Sequence, residues 1–79
     1  MTSLKETRLK IDKIDTEILR LLRSRKKLVI SAKKLKAKSK KPIEDKKREK
    51  EVLSEAKDPY ETAILKKIVS ESKKVQHRL

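Results

Sequence analysis

The side chains of this 79-residue chain that could do chemistry are charged groups set into apolar helical faces. From Leu4 to Lys38, apolar residues recur at 4/3 spacing as Leu4, Ile11, Ile18, Leu22, Val29 and Ala32. The same count lands on Arg8, Asp15, Arg25 and Lys36. Arg and Lys rarely turn inward unless paired, so the stripe carries structural ion pairs or lines a site for an anion. Arg25 and Lys36 are eleven positions apart, about three helical turns, which aligns them with Cα atoms roughly 16 Å apart. Both could reach one small ligand. Arg8 is 17 positions from Arg25, roughly 25 Å along the axis, and cannot join them. It would most simply serve a site built with a second copy of the helix, which an antiparallel dimer provides twice by symmetry.

The elements that must hold these groups read as three helices, at about 3–38, 45–56 and 59–76. The first contains no Gly or Pro, and Ser3 with Glu6 makes a capping box at its start. Its lysine-rich end suits the helix dipole, and Pro42 stops it. The inward side of the second helix reads Asp45, Glu49, Val52 and Ala56, with Leu53 beside it. Two acids in a first turn also favour the dipole, an account that serves Asp45 better than the deeper Glu49. Arg48 could pair with Glu44 or Glu51 on the surface. Asp58, Pro59 and Glu61 form an N-cap, N1 and N3 set that opens the third helix. Its stripe is Ile64, Leu65, Ile68, Val69 and Val75, interrupted by Ser72 and Gln76. Taken alone, that pair is most simply read as hydrogen-bonding to a neighbouring helix.

Composition narrows the classes. The chain forms one all-α domain, residues 1–79, too small for a large single-chain core. A helical homodimer is the expected remedy. Cysteine is absent and His77 is the lone histidine, so neither a disulfide framework nor a Cys-based metal site is available. A net charge of +13 attracts nucleic acid, acidic membranes or small polyanions without choosing among them. One aromatic residue, Tyr60, and no recognised binding motif argue against nucleic acid. The inward polar residues and the lack of Trp and Phe argue against a membrane surface. Nor does any apolar run approach the ~18 residues of a membrane span. Met1-Thr2-Ser3 leads directly into the helix pattern without a signal peptide, so the cytoplasm is the expected compartment.

Together the inward polar residues resemble the all-helical class of chorismate mutase. The matching stretches are Arg8-Leu-Lys-Ile-Asp-Lys-Ile-Asp15, Ile18-Leu-Arg-Leu-Leu-Arg-Ser-Arg25, Lys36, Pro42-Ile-Glu-Asp-Lys-Lys-Arg-Glu49 and Ile68-Val-Ser-Glu-Ser-Lys-Lys-Val-Gln76. The resemblance implies an intertwined homodimer with sites shared between chains, acting on chorismate without a cofactor or metal. By resemblance, Arg8 of one chain and Arg25 of the other bind the two carboxylates. Lys36 and Gln76 reach the ether oxygen, and Glu49 accepts from the ring hydroxyl. Asp45 and Ser72 complete the lining, with Arg48 in support. The implied reaction is a Claisen rearrangement to prephenate, in phenylalanine and tyrosine biosynthesis. Isochorismate pyruvate lyase on the same fold, or a basic helical nucleic-acid-binding module, are the alternatives. The chain departs from better-known members in a short link between its second and third helices and in its high lysine content.

Overall fold

A computed structural model describes residues 3–39 and 46–78, and every regular element among them is helical. Helix α1 spans Leu4–Ser39, 36 residues. The Ser3 hydroxyl accepts from the Glu6 N–H at 3.1 Å, and the Ser3 carbonyl accepts from Thr7 N–H at 3.0 Å. The first bond occupies one of the orphan donors of the first turn, and the second is the first regular bond of the helix. Helix α2, Lys46–Ser54, has nine residues. It ends two residues before the expected Ala56, in tighter i→i+3 bonds from Glu55 to Val52 and from Ala56 to Leu53. Only four residues remain before Pro59, and Pro disfavours helix at the residue preceding it. The expected start of α2 at Asp45 and the stop at Pro42 lie outside the described residues.

Helix α3, Pro59–His77, has 19 residues. Asp58 is its N-cap, in extended conformation, and its carboxylate accepts from the Glu61 N–H at 2.8 Å. The Glu61 carboxylate reaches back to the Lys57 N–H at 3.1 Å. The capping expected from Asp58-Pro59-Tyr60-Glu61 is therefore present, with the reciprocal bond displaced by one residue.

Helix α3 packs against both α1 and α2. The molecule measures 56 × 23 × 15 Å, and α1 alone accounts for roughly 54 Å. Its half-buried side chains, Arg25, Val29, Ile30, Ala32, Lys33 and Lys36, all lie in its C-terminal half, whereas residues 3–24 are exposed. The expected apolar stripe is thus covered at Val29 and Ala32 but open at Leu4, Ile11, Ile18 and Leu22. Among the described residues no apolar side chain is fully buried.

Surface ion pairs decorate the helices. Lys67 and Lys74 hold the Glu71 carboxyl below the usual carboxylate range, and Arg20 does the same to Glu17. A lowered folded-state pKa gives stability present above the unfolded value and lost as pH falls through the folded one. These carboxyls are solvent-exposed, so salt screens the effect. The N-cap is the stronger local determinant. Asp58→Ala should destabilise the protein by about 1 kcal/mol, seen as a lower midpoint in helical circular dichroism melts, whereas Glu51→Ala should leave the midpoint nearly unchanged.

Candidate active site

Where α1, α2 and α3 meet, they enclose an open cleft of about 320 Å³, within the range of small-ligand sites. Its apolar lining is Leu28, Val29 and Ala32 from α1, Val52 from α2 and Val69 from α3. Its polar lining is Arg25 and Lys36 from α1, Arg48 and Glu49 from α2, and Ser72, Lys73 and Gln76 from α3. Helical periodicity explains the convergence: Arg25, Val29, Ala32 and Lys36 fall on one face of α1, and Val69, Ser72 and Gln76 on one face of α3. Four cations and one carboxylate surround an apolar floor. Such a cleft suits an anion with a hydrocarbon body.

Hydrogen bonds hold these groups in place. The Ser72 hydroxyl donates to the Ile68 carbonyl at 2.7 Å within its own helix. Its oxygen accepts from the Arg25 guanidinium, which anchors the arginine beside the cleft. Gln76 is the one fully buried polar residue described, 6% exposed. Its amide nitrogen donates to the Val29 carbonyl at 3.1 Å. The interhelical bonding expected of Ser72 and Gln76 is therefore present, and both still line the cleft. One amide hydrogen of Gln76 is used on Val29, leaving a second donor on the same nitrogen. Glu49 is paired with Lys73 across the α2–α3 contact. Arg48 pairs with Glu51 at 3.9 Å on an exposed surface, as one of its two expected arrangements, and also borders the cleft.

Six of the eight residues singled out from sequence thus share one cleft: Arg25, Lys36, Arg48, Glu49, Ser72 and Gln76. Asp45 lies outside the described residues. Arg8 is exposed in the N-terminal half of α1 and borders none of the described clefts, in keeping with its calculated distance from Arg25. Sequence reasoning missed Lys73 and Lys33. Lys73 sits next to Ser72, so a wider reading of that face would have included it. Lys33 donates to the main-chain carbonyl of Gln76, and no periodic signal announces a contact with a distant backbone atom. Among the described residues no cluster of three or more His, Cys, Asp or Glu could hold a metal ion. None of the described helices is long and apolar enough to cross a membrane.

Residues 7–77 match the family model for chorismate mutase type II. The chain belongs to this family. No curated protein and no solved structure matches it significantly. The family match begins one residue before Arg8 and ends one residue after Gln76, so it takes in every candidate site residue.

The cleft distinguishes two lysines close in sequence. Lys36 lines it, whereas Lys38 is exposed and does not. A small dicarboxylate such as malonate, titrated into labelled protein, should shift amide signals around residues 25–36 and 72–76. Lys36→Ala should weaken that binding about tenfold, the scale of one charge-assisted contact, and Lys38→Ala less than twofold. Equal losses would assign the binding to general basicity.

Proposed function

We propose that this chain is a chorismate mutase, converting chorismate to prephenate in the phenylalanine and tyrosine pathway of the cytoplasm. The observation that carries the reading is the convergence of Arg25, Lys36, Glu49, Ser72 and Gln76 on one cleft in a chain of this family. The rearrangement is unimolecular. The ether C–O bond breaks as a C–C bond forms between the enolpyruvyl methylene and the ring, and no proton is transferred. Catalysis then consists of holding the flexible side chain over the ring and stabilising the charge that develops.

Arg25 suits the first task. Its planar guanidinium binds a carboxylate through two parallel hydrogen bonds, and Ser72 already holds it at the cleft wall. Lys36 and the second amide hydrogen of Gln76 suit the other task. Negative charge grows on the ether oxygen as the bond breaks, so these donors bind the transition state more strongly than the substrate. The Glu49 carboxylate accepts from the ring hydroxyl, and Asp45 completes the polar lining. Arg48 supports the positive field.

Arg8 has a role only if a second copy is present. The site reading therefore includes an intertwined homodimer, in which Arg8 of one chain completes the cleft of the other. Ile11, Ile14, Ile18, Leu21, Leu28 and Leu35 support it. They follow 3/4 spacing along α1, the pattern of a helix-pairing seam, and each is between 47% (Ile18) and 69% (Leu28) exposed in the single chain. A second, mainly apolar groove of about 390 Å³, lined by Leu22, Val29, Ile64, Ile68 and Val75, also lies open between α1 and α3. Exposed apolar surface on this scale is unusual for a monomer.

Loss of chorismate and appearance of prephenate, followed with purified protein, test the activity, and isochorismate in a parallel reaction tests the lyase alternative. Pyruvate release from isochorismate without prephenate formation would reassign the chain. Lys36→Ala should lower kcat about a hundredfold, with Lys38→Ala near wild type. Gln76→Glu should be active at low pH and lose activity as the new carboxyl ionises, because a carboxylate cannot donate to the ether oxygen and repels its developing charge. A flat pH profile would remove Gln76 from the chemistry.

The shared site has its own test. Arg8→Ala and Arg25→Ala should each be nearly inactive alone, and should regain part of the wild-type activity when unfolded and refolded together, because one site of the heterodimer keeps both arginines. Sedimentation should show a dimer at micromolar concentration. A fully active monomer, or no recovery in verified heterodimers, would exclude the arrangement.

A further inference from the structure

Gln76 presents a physical problem. It is the next-to-last residue of α3, yet it is the most buried described residue and lines the cleft. The last turn of a helix frays because its final carbonyls have no intrahelical donor. Helix α3 ends at His77, so the Gln76 carbonyl is one of these. The Arg78 N–H is shared between the Gln76 carbonyl and the Lys74 carbonyl, at 3.1 Å from the latter.

A second donor comes from another helix. Lys33, half-buried on α1, extends its ammonium to the Gln76 carbonyl. A cation at a helix C-terminus also complements the dipole. One α1 turn earlier, the Val29 carbonyl accepts the Gln76 side-chain amide at 3.1 Å. In an α-helix that same carbonyl is the acceptor for the Lys33 N–H. The two bonds therefore run in opposite directions between one residue of α3 and one turn of α1. Together they restrain both the backbone and the side chain of Gln76.

We propose that Lys33 is a positioning residue for Gln76: it pins the last turn of α3 to α1, so that the amide is held at a fixed place in the cleft wall. Lys33 does not line the cleft, so it acts through Gln76 and not on a bound ligand. The catalytic consequence rests on the mutase reading above; the structural clasp does not.

The experiment compares Lys33→Met, which keeps the chain length and removes the ammonium, with Lys33→Arg, which keeps a cationic donor. In nuclear magnetic resonance, Lys33→Met should give residues 74–78 the backbone relaxation of a mobile end. Exchange of the Gln76 side-chain amide should rise about tenfold, as expected when a local opening becomes easier, while α1 signals away from Lys33 stay in place. Lys33→Arg should restore both. In the mutase assay Lys33→Met should lower kcat about tenfold, within the range known for small misplacements of a catalytic group, with KM changed less than twofold. In a Gln76→Ala background it should cause no further loss. Unchanged amide exchange in Lys33→Met, or a full additional loss in the Gln76→Ala background, would overturn the proposal. If the wild-type protein lacks mutase activity, the functional reading fails and the resonance measurements alone decide whether Lys33 clasps Gln76. If Lys33→Met does not fold, Lys33→Ala, which also removes the donor and keeps high helix propensity, takes its place in the same measurements.

Discussion

The structure depends on a mismatch of lengths. Helix α1 has 36 residues and α3 has 19, so roughly 54 Å of helix meets a partner of roughly 28 Å. Helix α2, with nine residues, rests on α3 and not on the uncovered part of α1. Within one chain, therefore, only the C-terminal half of α1 gains tertiary cover. The other half presents leucine and isoleucine to solvent, where helix propensity alone holds it and packing adds nothing. A second copy, proposed here from the exposed seam and from the position of Arg8, would relieve that imbalance and complete the cleft at once. Stability and function would then draw on the same interface.

The covered half of α1 is also where charge collects. Residues 18–43 hold eleven Lys and Arg and no acidic residue, against a net charge of +13 for the whole chain. Such a run is self-repelling. The fold turns Arg25 and Lys36 toward a cleft with apolar walls and leaves Lys34 and Lys38 in water. Cations near a low-dielectric wall exert a stronger field than the same cations in solvent. The acids on α2 and α3 do not cancel that field: Glu49 is already paired with Lys73, and Glu51 and Glu71 are engaged on the surface. Among the described residues the cleft therefore carries more cations than carboxylates.

Much of this was legible in the residues themselves. The three helices, the Ser3 and Asp58 caps and the polar positions on inner faces follow from 3.6-residue periodicity and local hydrogen bonding, which act over a few residues. Those short-range rules also placed Arg25 and Lys36 on one face and Arg8 out of reach. The family resemblance rested on the order of the same positions, and the family match covers 7–77.

Tertiary structure decided the rest, because it depends on atoms far apart in the chain. Sequence could not show that Ser72 would anchor Arg25, 47 residues away, or that Lys73 would cross to Glu49. It left open whether Gln76 serves packing or a site. In the fold it does the first and borders the second, since an amide with two hydrogens can bond to Val29 and still face the cleft. The early end of α2 came from the four-residue link to Pro59 and not from the propensity of Glu55 or Ala56. Periodicity determined which residues could share a face; the packing of α3 on α1 and α2 decided which of them meet.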